Sequence, residues 1–310
     1  MSKVLITDDV HPIMIEEFQS INFEVDYFPS ITYDQTEKII ADYSGIIVNT
    51  KIRVDKNLID CGQQLKFIGR VGSGMEHIDI TYAKERNIGV FSSPEGNANA
   101  VAEHALGMLL CLLNNISRAD AEIRNGIWKR EENRGVEISG KTIGIIGFGY
   151  TGSAFAKKLS GFECNILAFD KYKSGFGNTY VKEVDYNMII EQSDILSFHL
   201  PLNVETKFMM NREMIDLAAK PFYLINTSRG GVIKTSEMIH GLNSGKILGA
   251  ALDVFENERY YVLNTEEKKV FDTLSSMSNV LMTPHIAGWT FESKVKLTKI
   301  LMEKIRFFLK

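Results

Sequence analysis

Short apolar runs rich in valine and isoleucine recur along the chain and alternate with longer stretches whose apolar residues return at helical spacing. That alternation is the pattern of parallel strands wrapped by helices, and it predicts an α/β fold. One series of strands is expected at residues 4–6, 23–25, 46–48, 67–68 and 90–91. A second starts abruptly at Lys141 and comprises 142–146, 166–169, 195–198, 223–225, 250–252 and 280–282. Between the two series, residues 99–115 contain no proline and predict a long helix leaving the first unit, with the boundary near Asn97. After the last strand only one helical stretch remains, 291–309, with Phe291, Val295, Ile305 and Leu309 on one side and lysines opposite. A single helix cannot make a domain, so it is expected to dock on an existing one, its lysine side facing water. No short internal repeat or low-complexity tract is present, which excludes solenoids and propellers.

Composition narrows the class. A chain of 310 residues with 45% hydrophobic and 24% charged residues is long enough for two folded domains. The 35 basic and 39 acidic residues are interspersed and leave a net charge of −4, without the basic footprint that nucleic acid requires. The longest apolar run, 105–113, falls well short of the roughly 20 residues of a membrane span. The first residues carry no secretory or transit signal. Cys61, Cys111 and Cys164 are odd in number and widely separated, so they read as reduced core thiols of a cytoplasmic protein with neither a zinc site nor a redox pair.

The candidate chemistry lies just after strands of the second series, where ligands bind in open α/β sheets. Gly147-Phe148-Gly149-Tyr150-Thr151-Gly152 follows the strand 142–146 and opens a helix expected to begin near Ser153. A G-x-G-x-x-G sequence alone is weak evidence, but between strand and helix it forms a phosphate cradle: glycines allow close backbone approach, and the helix N-terminus favours an anion. Asp170 ends the next strand, where an acid bonds the adenosine ribose and repels a 2′-phosphate, favouring NAD over NADP. Lys171 and Lys173 beside it pull the other way. Asn226-Thr227-Ser228-Arg229-Gly230-Gly231 follows the strand 223–225, and a guanidinium there can grip a carboxylate with two parallel bonds. Glu258 and His285 follow the next two strands. A carboxylate paired with an imidazole orients the ring and equips it to exchange a proton near neutral pH. Together these groups suit a 2-hydroxy acid: Arg229 holds the carboxylate and polarises the carbonyl, His285 exchanges the hydroxyl proton, and a nicotinamide exchanges the hydride. No metal is required. His199, after the strand 195–198, is placed at the cofactor cleft; His11, His77, His104 and His240 are given structural or surface roles.

These motifs, with Gly72-Ser73-Gly74 in the first unit, His199-Leu200-Pro201-Leu202, Leu252 to Glu258 and Pro284 to Gly288, resemble the D-isomer-specific 2-hydroxyacid dehydrogenases over essentially the whole chain. The resemblance implies two doubly wound, Rossmann-like domains. Residues 1–97 and 288–310 would form a discontinuous substrate domain, into which an NAD domain, 98–287, is inserted. It also implies a cleft between them and a homodimer. It assigns Arg229, Glu258 and His285 as the catalytic trio. Asp253 would face the nicotinamide amide and Tyr150-Thr151 the pyrophosphate; Gly147, Gly149, Gly152, Asp170, His199, Leu200, Pro201, Thr227 and Ser228 line the cofactor site. Ser73, Gly74 and Asn97 would lie near nicotinamide and substrate. Within the family the chain is most similar to short D-3-phosphoglycerate dehydrogenases lacking a C-terminal sensing domain, in which Arg70 and, from the partner subunit, Arg130 match basic positions serving the substrate phosphate. Three departures stand out. Asn49 replaces an arginine of that branch, with Lys51 and Arg53 near it as substitutes; Arg259 replaces the usual proline; and extra residues separate Glu258 from His285. The alternatives are a glyoxylate or hydroxypyruvate reductase, a D-lactate dehydrogenase, and, in another class, a non-catalytic NAD-sensing corepressor-like protein.

Overall fold

The computed structural model describes residues 2–310. The stretch up to Ala98 alternates β1 (Ser2–Ile6), α1 (Ile13–Gln19), β2 (Phe23–Tyr27), α2 (Tyr33–Ile39), β3 (Gly45–Val48), α3 (Lys56–Cys61), β4 (Phe67–Arg70), α4 (Ile80–Glu85) and β5 (Gly89–Ser92). Then come α5 (Ala98–Leu113), α6 (Ile116–Arg124), β6 (Thr142–Ile146), α7 (Tyr150–Leu159), β7 (Asn165–Phe169), β8 (Lys182–Glu183), α8 (Tyr186–Gln192) and β9 (Ile195–Phe198). The order closes with α9 (Arg212–Leu217), β10 (Phe222–Asn226), α10 (Thr235–Asn243), β11 (Ile247–Leu252), α11 (Thr265–Ser276), β12 (Val280–Met282) and α12 (Phe291–Phe308). Two compact units result, one ending at Ala98 and regaining Trp289–Lys310, the other Asn99–Gly288.

The first unit is a parallel sheet ordered β2-β1-β3-β4-β5. All four residues of β3 are buried, as the continuous run Gly45-Ile46-Ile47-Val48 requires of a central parallel strand. On one face α12 lays Leu297, Leu301, Met302 and Ile305 against Val4, Ile6, Ile47 and Phe67. Each such side chain contributes on the order of 1.5–3 kcal/mol, so the distant C-terminal helix is bound into this unit by its own apolar stripe. Thr290 caps α12 in a capping box with Ser293.

The second unit is a parallel sheet ordered β12-β11-β10-β9-β6-β7-β8. Chain direction reverses its sideways progress between β6 and β9, the switch point at which α/β sheets open a crevice. β8 was not expected from the sequence: it is a two-residue polar edge strand, with no apolar run to announce it. α7 starts at Tyr150, one turn earlier than expected, because Gly149 already serves as its N-cap. The three cysteines are free and only half-buried, so they are not core residues in the full sense. Among the described residues no single helix is long and apolar enough to cross a membrane; α5 instead buries Ala102, Ala105, Met108 and Leu109 in the core of its own unit.

Candidate active site

The register of the second sheet brings the candidate residues together. Phe169 lies opposite Ile146, Ile146 opposite Phe198, Phe198 opposite Asn226, Asn226 opposite Leu252, and Leu252 opposite Met282. These six residues form one row across the sheet. The residues that follow them leave the same carboxyl edge side by side: Asp170, Gly147, His199, Thr227, Asp253 and Thr283.

At the switch point Gly147 turns with φ +94°, donating its N–H to Phe169 O at 2.8 Å. A Cβ here would stand 2.4 Å from His199 O, and one on Gly152 would stand 2.1 Å from Gly147 O. Glycine is therefore needed at both places for the loop to lie against β9 and for α7 to start beneath it. No side chain caps α7, and Gly149 borders open space. That arrangement suits a pyrophosphate, which would take the helix N-terminus as its cap. Asp170 accepts from three backbone N–H groups, those of Phe148, Tyr172 and Lys173, at 2.8–3.1 Å, and thereby fixes the loop. His199 is buried on Phe155, shares a 2.8 Å contact between its Nε2 and Ser197 Oγ, and is held neutral by desolvation, its pKa lowered to about 4. Its Nδ1 and the Thr227 hydroxyl are buried side-chain atoms without a hydrogen-bond partner within the chain. Such orphans beside an open phosphate loop fit a bound dinucleotide.

The loop after β10 is built by Asn226, whose buried side chain donates to Arg229 O and accepts from the Ser228 N–H and hydroxyl. Arg229 has an extended backbone and donates from Nη1 to Ser228 O. Behind it, Gly230 lies directly on the loop after β11: an added Cβ would come within 1.9 Å of the Phe255 carbonyl. The Glu258 side of the site is thus packed against the Arg229 side through a backbone contact that only glycine permits.

Glu258 Oε2 lies 2.7 Å from His285 Nδ1, with both side chains partly exposed. Asn257 anchors the segment carrying Glu258: its Nδ2 donates to Glu267 at the start of α11, and its Oδ1 accepts from Arg259 N. The bond from Arg259 N to Asn257 fixes the turn at Arg259 through a side chain. His285 has φ +55°, a left-handed conformation that costs a non-glycine residue roughly 1 kcal/mol. It is held there by Asp253, fully buried, whose carboxylate accepts from Thr283 Oγ1 and from the N–H groups of Ile286 and Ala287, while Asp253 O accepts from His285 N. The carboxylate of Asp253 is therefore committed largely to shaping the histidine loop.

His104, assigned a structural or surface role from sequence, has closer company than that reading gave it. Its Nε2 is 3.1 Å from Thr283 Oγ1 and 3.6 Å from Asp253 Oδ1. Only its place on α5, before an apolar run, was visible in the sequence, with nothing to connect it to a loop so far along the chain.

The remaining candidates divide between the two units. In the first unit Ser73 donates to Asn97 Oδ1 at 2.9 Å, with Gly74 following it in the same loop. Arg70 Nη1 donates to Val71 O, and the Asn49 N–H donates to Asp8. Lys51, one of two possible substitutes for the arginine absent at Asn49, instead gives its ammonium to Thr7 O and Pro29 O. In the second unit Arg130 is exposed on the segment after α6, close in sequence to the exposed Ile127 and Trp128. Leu200 and Pro201 continue the His199 segment, and the Tyr150 ring is exposed at the start of α7.

Comparison with known proteins gives a consistent result. Residues 106–287 match the family model "D-isomer specific 2-hydroxyacid dehydrogenase, NAD binding domain". A D-3-phosphoglycerate dehydrogenase of Methanocaldococcus jannaschii is 33% identical over 309 residues, covering 99% of this chain. The chain spans only 57% of that relative's length, and 56% of a second D-3-phosphoglycerate dehydrogenase, from Archaeoglobus fulgidus, which is 31% identical. A hydroxypyruvate reductase of Thermotoga maritima is 36% identical over 272 residues, covering 88% of this chain and 87% of the relative. Among solved structures, D-lactate dehydrogenase from Aquifex aeolicus, complexed with NAD and lactic acid, superposes with a TM-score of 0.85 at 26% identity, covering 99% of this chain and 95% of that one. The chain belongs to the D-isomer-specific 2-hydroxyacid dehydrogenases, and its second unit carries that family's NAD-binding domain.

Proposed function

We propose that the chain is an NAD-dependent dehydrogenase that interconverts a small D-2-hydroxy acid and its 2-keto acid. The observation that carries this reading is the 2.7 Å contact of Glu258 with His285 Nδ1, at the same sheet edge as the glycine loop and Arg229. With Nδ1 engaged by the carboxylate, Nε2 is the ring nitrogen that takes the hydroxyl proton in oxidation and returns it in reduction. Glu258 orients the ring. Arg229 grips the substrate carboxylate and polarises the neighbouring C–O bond. Bound NAD supplies the acceptor or donor of the hydride. Thr227 and the α7 N-terminus hold the dinucleotide, and Asp253 fixes the loop that presents His285. In this reading the first unit, with Ser73, Gly74 and Asn97, is the substrate domain.

The favoured substrate is 3-phosphoglycerate, oxidised to 3-phosphohydroxypyruvate. Arg70 and Arg130 support it, as does similarity to two archaeal D-3-phosphoglycerate dehydrogenases along nearly the whole chain. A second reading, a hydroxypyruvate or glyoxylate reductase, is favoured by Asn49 together with the capture of the Lys51 ammonium by backbone carbonyls. A homodimer is part of the proposal, supported by the exposed Ile116, Ile123, Ile127 and Trp128 around the segment that bears Arg130.

Steady-state rates with 3-phosphoglycerate and NAD, set beside hydroxypyruvate, glyoxylate and pyruvate with NADH, separate these substrates. No turnover with 3-phosphoglycerate or 3-phosphohydroxypyruvate would remove the favoured one. His285→Ala and Arg229→Ala are each expected to lower kcat/KM by about 10²–10⁴ while NADH still binds. Near-native rates in either variant would overturn the mechanism.

A further inference from the structure

Two lysines follow Asp170, and either could hold a 2′-phosphate on the adenosine ribose. Both ammonium groups are engaged in the structure. Lys173 Nζ folds back to Phe148 O at 3.1 Å, on the glycine loop itself. Lys171 Nζ donates to Glu205 Oε1 at 2.7 Å, and the second oxygen of Glu205 accepts from the Tyr172 hydroxyl. The Lys171 ammonium also lies 5.6 Å from the centre of the Tyr172 ring. Glu205 is itself well placed to hold this pairing. It belongs to the turn after β9 in which Asn203 Oδ1 accepts from the N–H groups of Glu205 and Thr206, and Thr206 Oγ1 donates to Pro201 O. The hydrogen bonds from Lys171 and then Tyr172 hold the Glu205 carboxyl below its usual range.

We propose that Glu205 is a cofactor-selectivity residue: by binding Lys171 and Tyr172 it withdraws the cation that would receive a 2′-phosphate. NAD, with a free ribose diol, meets no penalty. NADP brings a phosphate to a site whose lysines are occupied. The inference rests on the cofactor reading of the second unit and goes beyond it by naming the residue that restrains Lys171.

The test is equilibrium titration of NADH and NADPH, followed by nicotinamide fluorescence at low ionic strength. Glu205→Gln is expected to fold normally, because an exposed ion pair contributes little to stability. It should tighten NADPH binding about tenfold, the order expected when one ammonium is freed to face a solvated phosphate a few ångströms away, and move NADH less than about twofold. The gain should shrink as salt is added and disappear when Lys171→Ala is combined with Glu205→Gln. An unchanged NADPH affinity, or equal tightening of both dinucleotides, overturns the proposal. So does a gain that survives Lys171→Ala, since Glu205 would then act by repulsion without the pairing. Wild-type protein that binds neither dinucleotide would overturn the cofactor reading itself, an outcome separate from all of these.

Discussion

Gly230→Ala adds a single methyl group at the point where the Arg229 loop rests on the Glu258 loop. The new Cβ would lie 1.9 Å from both atoms of the Phe255 carbonyl and 2.6 Å from Glu256 N. Carbon contacts are comfortable at about 3.5–4.0 Å, so the two loops must part by roughly 1.5 Å, and the obstruction is backbone that cannot rotate away. Overpacking of this kind costs about 1–3 kcal/mol of stability. The larger consequence falls on the reaction. Misplacement of reacting groups by about 1 Å costs on the order of 10²-fold in rate, equivalent to about 2.7 kcal/mol. Gly231→Ala is the matched control, because its Cβ would meet only the methyl ends of Leu202 at 3.0 and 3.2 Å, which can yield. Steady-state kcat for both variants, with NADH affinity and melting temperature measured alongside, is the assay. Gly230→Ala should lose about 100-fold in kcat with NADH affinity within about threefold, and Gly231→Ala should lose less than about fivefold. Wild-type kcat in Gly230→Ala, or equal damage from the two, would refute the argument that this contact positions the site.

Acid should destabilise the second unit through His199. Its pKa falls from 6.5 to about 4 on folding, so the unfolded chain binds more protons below pH 6.5, and stability is lost as pH falls from there toward 4. Between pH 7 and pH 5 this amounts to about 2 kcal/mol, and urea titrations at the two values should show that much less loss in His199→Gln than in wild type. Equal losses would mean that His199 does not titrate between the folded and unfolded states. Asn257→Ala removes the bonds that flank Glu258 and should lower kcat about 10-fold with little change in NADH affinity, whereas Glu267→Gln keeps an acceptor for Asn257 and should stay near wild type. Equivalent kinetics in the two variants would show that the Asn257 anchor does not position Glu258.

Much of this protein was legible in the order of residues. Strands such as Thr142–Ile146 and Ile195–Phe198 are visible because a buried parallel strand must be apolar on both faces, a local property. The glycine loop, Asp170, Arg229, Glu258 and His285 could be singled out because each follows such a run, and the topology of α/β sheets sends the ends of parallel strands to one edge. β8 was invisible for the complementary reason: its two polar residues form a strand only because β7 offers them a partner.

Side-chain partnerships required the tertiary structure. The lysines after Asp170 looked available for a phosphate until Glu205, brought from the turn after β9, took one of them. His104 seemed unaccompanied until the fold set it beside Thr283 and Asp253. The left-handed backbone of His285 is imposed by Asp253 and leaves no mark on the sequence around it. Sequence by itself determined the apolar strands, the long C-terminal helix and the edge of the sheet where chemistry belongs, since those follow from periodicity and chain direction. Which charges are paired, which polar atoms are left without a partner, and how each loop is held were decided only by folding, because those depend on groups that meet in space from remote parts of the chain.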